Sequence, residues 1–301
     1  MTAEAEETAV PLLEVRDLAV SLPTGVRTAV QAVNSVDLRV ERGERVGIVG
    51  ESGSGKSVTG RAVAGLLPTS PRVRVSGSIR FSGTEMVGAP DRAWDAVRAR
   101  RVGMIFQDPL TYLNPVMKIG EQVRESVPPE RRGTGDEEML KFLDLAGLSD
   151  ARAVAGRFPH ELSGGMRQRV LIAIAIAKLP ELIVADEPTT ALDATVQRRV
   201  LATLDDTVSR LGTSLILISH DLAVVASMTD RIYVMYAGRI VESGPTQQVL
   251  SRPEHPYTRA LLRSVRSLTD PDLELWAIRP SLRRELDQLV AGGARAQGGD
   301  Q

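Results

Sequence analysis

The chain has 301 residues, of which 43% are hydrophobic and 25% charged; this suffices for one large or two modest domains and excludes disorder for the bulk of it. A formal net charge of -1 leaves no global basic field of the kind that nucleic-acid binding uses, and the lack of cysteine excludes disulfides, thiolate metal sites and a cysteine nucleophile. Lysine is confined to Lys56, Lys118, Lys141 and Lys178.

Residues 1–11 carry Glu4, Glu6 and Glu7 and no apolar core, which predicts a flexible tail rather than a signal peptide. Apolar segments at 12–22 and 30–40, separated by Thr24-Gly25, predict two antiparallel strands. The run 45–49 predicts a short buried strand leading into Gly50-Glu51-Ser52-Gly53-Ser54-Gly55-Lys56-Ser57, which fits the phosphate-cradling pattern G-x-x-x-x-G-K-S/T. A helix is expected over 57–67, stopped by Pro68, and a further pair of strands over 73–81 around Ser76-Gly77. Residues 102–106 predict a strand ending at Gln107. Pro109, Pro115 and Pro128-Pro129 then mark an irregular segment before helices near 136–145, so about 108–165 is expected to form an inserted helical subdomain. Ser163 is placed to cap a helix through the apolar run 170–177, ending at Pro180. That run is the longest apolar one and is too short to cross a bilayer. The continuous apolar segments 182–185 and 215–218 predict parallel strands covered on both faces. The last residues, 291–301, have little to bury and are expected to be flexible.

Gly50, Gln107, Asp186 with Glu187, and His220 all fall just past the carboxyl ends of predicted strands, the edge at which open α/β sheets bind ligands. A P-loop wraps backbone N–H groups around a β-phosphate and aims the positive end of the next helix at it. The expected nucleotide contacts are Gly50, Glu51, Ser52, Gly53, Ser54, Gly55, Lys56, Ser57 and Val58, with Lys56 bridging the β- and γ-phosphates and Ser57 reaching Mg²⁺. Asp186 is expected to complete the magnesium shell and Glu187 to act on the attacking water, because adjacent acids at a buried edge are costly unless a cation or a reaction uses them. His220 is expected to contact the γ-phosphate, and Gln107 to join the ion and sense that phosphate. A Gly-rich turn, a helix cap and a structural histidine are the plainer readings of these elements taken singly.

Over about residues 12–265 the chain resembles the nucleotide-binding subunit of an ATP-binding-cassette transporter. Leu162-Ser163-Gly164-Gly165-Met166-Arg167-Gln168 resembles the family's LSGGQ signature with Met166 in the glutamine place, residues 190–193 its D-loop, and Gln107 and His220 its Q-loop and switch histidine. The resemblance implies an α/β P-loop NTPase cassette with a mainly parallel core sheet, an N-terminal antiparallel β-subdomain and an inserted helical subdomain. It also implies ATP and Mg²⁺ as ligands and head-to-tail pairing in which Ser163, Gly164, Gly165 and Asp193 contact the ATP held by the other cassette. Residues 106–115, Pro159-His160-Glu161, residues 188–193 and His255-Pro256-Tyr257-Thr258-Arg259-Ala260-Leu261-Leu262 are similar to the dipeptide, oligopeptide and nickel importer branch. Thr189-Thr190 and Gly165-Met166-Arg167 further resemble the first of that branch's two paired ATPases.

What the branch implies is a peripheral subunit at the cytoplasmic face of the cell membrane, in a cassette heterodimer beneath two integral-membrane permeases fed by an extracytoplasmic solute-binding protein, with no nucleic acid. Peptide is the first expected cargo, and nickel, an opine or a metallophore the next. A cassette ATPase acting on DNA or ribosomes is the rival from another class, and a regulatory subunit with a dead site is a further one. Two departures stand out. No aromatic residue precedes Phe81, so adenine is expected on Arg27, Leu22 or Val26. No cysteine-rich tail follows Leu262; residues 266–290 instead form an extension holding Trp276, Arg279, Arg283, Arg284 and Glu285. His255 is expected to pack rather than to bind metal.

Overall fold

The structure is a computed structural model that describes residues 10–25, 28–68, 70, 72–133, 136–190 and 192–267, with side chains as far as Arg263. Val26 and Arg27, most of the expected N-terminal tail, nearly all of the C-terminal extension and the whole final tail lie outside the described residues.

Strands β1 (Leu13–Pro23) and β2 (Ala29–Val40) pair antiparallel, as the apolar pattern predicts, and β1 also pairs with β4 (Arg74–Phe81). Between them run β3 (Arg45–Val49) and α1 (Lys56–Val63). After β4 come the short β5 (Thr84–Glu85), α2 (Asp91–Arg100) and β6 (Val102–Ile105). Helices α3 (Pro109–Tyr112), α4 (Ile119–Ser126), α5 (Glu137–Leu145) and α6 (Ala151–Ala155) then lead to α7 (Gly164–Ile176). The remainder is β7 (Leu182–Asp186), α8 (Ala194–Leu211), β8 (Ser214–Ser219), α9 (Leu222–Met228), β9 (Arg231–Tyr236), β10 (Arg239–Pro245), α10 (Thr246–Ser251) and α11 (Pro256–Ser267).

Two sheets result, one ordered β2-β1-β4-β5 and the other β10-β9-β3-β8-β7-β6. In the second sheet, neighbours from β9 to β6 are parallel and only β10 runs antiparallel. Its strands are apolar on both faces because both are covered. Ile216 and Ile218 point into a core shared with the small sheet, with Leu13, Val15, Leu38 and Phe81; Leu215 and Leu217 point into one shared with Phe142, Leu143, Val170 and Leu204. Helices α4 and α5 pack on α7 within that second core, which explains why α7 buries nearly every residue from Val170 to Ala177.

Two expectations need correction, and one hairpin was not expected. The strand 74–81 is continuous: Asp17 and Leu18 oppose Gly77 alone and the register skips between Arg16 and Ala19, so Gly77 faces a β-bulge of β1 and Ser76-Gly77 is not a turn. The turn comes instead at Ser82-Gly83, before β5. Helix α1 ends at Val63, earlier than Pro68 suggests, because the amides of Gly65 and Leu66 close back onto the carbonyls of Ala62 and Arg61. The hairpin β9–β10 is absent from the sequence reading, although the apolar Ile232-Tyr233-Val234-Met235-Tyr236 followed by Ala237-Gly238 is a legible signal for it.

Candidate functional site

The four parallel strands β3, β8, β7 and β6 end on one edge, and the P-loop, His220, Glu187 and Gln107 follow them in that spatial order. Gly50 to Gly55 loop from β3 into α1 against two neighbours. A Cβ on Gly55, whose φ is 104°, would stand 2.4 Å from the Ala32 carbonyl of β2, so that position tolerates no side chain. Beside it the Gly238 amide donates to the Ser54 carbonyl (2.9 Å), and the Gly238 carbonyl accepts from the Asn34 amide of β2 (2.7 Å). The hairpin missed in the sequence thus braces the loop.

Lys56 is 4% exposed, and its Nζ donates to the Gly50 and Glu51 carbonyls, each at 2.8 Å. Burial lowers its pKa, opposed by the negative charges of Glu187, Asp186 and Glu51. The Ser54 hydroxyl is buried without a hydrogen-bond partner among the described residues. Ser57 Oγ donates to Asp186 Oδ1 at 2.7 Å. Asp186 is 3% exposed; burial raises its pKa, with the Ser57 hydrogen bond and the positive charges of Arg61 and Lys56 pulling the other way and Glu187 adding to the rise. The partly buried Ser57 hydroxyl and the buried Asp186 carboxylate, held together, are hard oxygen donors of the kind that Mg²⁺ takes, whereas the Gln107 amide contacts Glu187.

Glu187 follows β7 with a φ of 46°, its amide bound to the Ile218 carbonyl of β8 at 2.9 Å. Three elements meet on its carboxylate. Thr190 Oγ1 donates to Oε2 at 2.8 Å, Gln107 Nε2 donates to the same oxygen at 3.3 Å, and His220 Nδ1 stands 3.4 Å from Oε1. The sequence reading groups Glu187, Gln107 and His220, and they do come together; Thr190 holding the acid is new, and the only hint was its place three residues on.

Ser163, Gly164, Gly165 and Asp193 sit elsewhere and, among the described residues, make no hydrogen bond to the P-loop. Ser163 caps α7 by accepting from the Met166 amide, and Asp193 caps α8 by accepting from the amides of Thr195 (3.1 Å) and Val196 (3.0 Å). Gly165 has a packing reason as well, since a Cβ there would stand 2.4 Å from Val196 Cγ1. His255 is half-buried and accepts at Nδ1 from the Tyr257 amide at 3.2 Å, in keeping with a packing role. Among the described residues no helix is long and apolar enough to cross a membrane.

Comparison with known proteins identifies the family. Residues 33–190 match the family described as ABC transporter, and residues 241–293 match the oligopeptide/dipeptide transporter C-terminal region. The oligopeptide transport ATP-binding protein OppD of Bacillus subtilis (strain 168) is 43% identical over 95% of this chain and 80% of its own. OppD of Salmonella typhimurium (strain LT2) is 44% identical over 91% of this chain and 82% of its own. Among solved structures, the ATP-binding cassette MJ0796, dimeric in a post-hydrolysis state with ADP and Pi bound, superposes with a TM-score of 0.67 at 26% identity, covering 78% of this chain and 98% of that one. From the P-loop to the C-terminal segment, the chain belongs to the ATP-binding ATPase subunits of ABC transporters, in the oligopeptide/dipeptide branch.

Proposed function

We propose that this ATPase energises the uptake of short peptides from the cytoplasmic face of the membrane, as one of two unlike cassettes beneath two permeases served by an extracytoplasmic solute-binding protein. The observation that carries the peptide assignment is the match of residues 241–293 to the oligopeptide/dipeptide C-terminal region, since the nucleotide site itself is common to cassettes with other cargo.

Residues 12–265 act as the cassette, with about 108–165 as its helical subdomain. The amides of residues 50–58 and the Lys56 ammonium hold the phosphates of ATP. Ser57, Asp186 and Gln107 would hold Mg²⁺, which when bound would supply neutralisation of the phosphate oxygens. Glu187, oriented by Thr190, Gln107 and His220, accepts a proton from the attacking water at a carboxylate oxygen. His220 lies beside that carboxylate, where it orients the same water toward the γ-phosphate. Ser163, Gly164, Gly165 and Asp193 serve the nucleotide held by the partner cassette. Shared binding of two nucleotides closes the pair, and hydrolysis reopens it. Leu110 and Val116 are 58% and 83% exposed just beyond Gln107, and they form the apolar contact through which closure is passed to a permease.

The test is to tag the chain in its own host, solubilise membranes gently and identify what co-purifies. Two permeases, a second cassette and a solute-binding protein are expected. Recovery with ribosomes, with DNA or alone overturns the transport assembly.

A further inference from the structure

Tyr257, on the first turn of α11, is fully buried, yet its hydroxyl ends at the nucleotide loop: Tyr257 Oη accepts a hydrogen bond from the Glu51 amide at 2.9 Å. That amide belongs to the Gly50–Glu51 peptide unit, whose carbonyl accepts from Lys56 Nζ at 2.8 Å. In a trans peptide the N–H and C=O point to opposite sides of one rigid plane. A group that holds the N–H therefore also sets the direction of the C=O. Tyr257 grips one side of the plane and Lys56 is held on the other.

The tyrosine is itself fixed from several directions. Glu242 of β10 accepts from the amides of Glu254 (2.8 Å) and His255 (3.0 Å). His255 Nδ1 accepts from the Tyr257 amide, and the Arg259 guanidinium donates to the carbonyls of Pro253 (3.0 Å) and Glu254 (2.8 Å). The Tyr257 ring lies 4.6 Å from that of Tyr236, at the end of β9 beside the strand that enters the P-loop. The segment 253–259 is thus a clamp whose polar tip is one hydroxyl.

We propose that Tyr257 is a positioning residue for ATP binding, which turns the Gly50–Glu51 peptide so that Lys56 is aimed for the phosphates and ties the C-terminal helix to the state of the nucleotide loop. The proposal rests on the nucleotide reading of this P-loop. It predicts an effect on substrate affinity more than on the chemical step, because the Tyr257 hydroxyl acts on the peptide that sets Lys56, while the Glu187 carboxylate is held by Thr190, Gln107 and His220.

The experiment is Tyr257→Phe in the full chain, assembled with its partner cassette and permeases. It compares the KM for ATP, kcat, the Kd for a fluorescent ATP analogue in the Glu187→Gln background, and the thermal midpoint without nucleotide. Loss of one hydrogen bond to the peptide should raise KM and Kd about fivefold to tenfold while kcat stays within about twofold. A lowered midpoint with KM and Kd unchanged means a structural role only and overturns the proposal. If the phenylalanine variant does not fold, Glu242→Gln decides: it keeps the hydroxyl but loosens the clamp, so KM should rise in the same direction by less, and an unchanged KM overturns the proposal. A parent assembly that neither binds nor hydrolyses ATP would remove the nucleotide reading itself, whereas an active parent with an indifferent Tyr257→Phe removes the positioning role alone.

Discussion

The Ser57 hydroxyl donates to the Asp186 carboxylate across 2.7 Å and so joins the first turn of α1 to the end of β7 through one buried acid. Asn in place of Asp186 keeps the acceptor for Ser57 and removes the charge. Burial already opposes that charge, so Asp186→Asn is expected to unfold no lower than the parent without nucleotide. The same change should raise the Mg²⁺ concentration for half-maximal ATPase activity more than about tenfold, as expected for loss of a charged ligand. Thermal unfolding and a Mg²⁺ titration read the two effects; an unaltered Mg²⁺ requirement removes Asp186 from the ion's shell.

Glu187 tests the chemistry. Glu187→Gln retains an oxygen for Thr190 but cannot take a proton, so steady-state phosphate release should fall by about 10²- to 10⁴-fold. ATP affinity should change little, and the paired cassettes should accumulate as a closed dimer in ATP, visible by light scattering. Turnover at the parental rate would move the base elsewhere.

Gly165 separates packing from function. Gly165→Ala places a methyl against Val196 and should cost about 1–3 kcal/mol, the usual range for overpacking a tight contact. Val196→Ala in the same chain should restore most of that stability. Under the proposed closure of the signature on the partner's nucleotide, activity of the paired cassettes should stay low in the double variant. Recovery of activity together with stability would give Gly165 a packing role alone.

Glu85 predicts a pH dependence away from the site. Burial alone would raise its pKa, but the Ser78 hydroxyl and the amides of Val87, Ile79 and Met86 outweigh it and hold the carboxyl at about 2 against an ordinary 4.5. A lowered folded-state pKa contributes stability that is complete above pH 4.5 and is lost as pH falls through about 2. Glu85→Gln should therefore be less stable than the parent by about 1 kcal/mol at pH 7, a figure kept small by solvent screening of an exposed carboxylate. The gap should narrow between pH 4.5 and pH 3 in urea titrations, and a gap independent of pH would mean that the charged form is not the one these donors favour.

Much of this molecule is written locally. The P-loop is legible because one short pattern combines a buried strand, glycines for the backbone and a lysine. The parallel core is legible because 182–185 and 215–218 are apolar at every position, which only a sheet covered on both faces requires. Asp186-Glu187 stands out because adjacent acids ending such a strand need a purpose. Tertiary structure alone decided that Thr190 joins Gln107 and His220 on Glu187, that Gly77 faces a bulge, that Gly238 braces Ser54 and that Tyr257 reaches the Glu51 amide. Each of these joins residues through strand register or helix packing, and in several the partners lie far apart along the chain. A hydroxyl or an amide advertises a donor in the sequence, but its partner exists only once the chain has brought the two within about 3 Å and excluded the water that would otherwise compete.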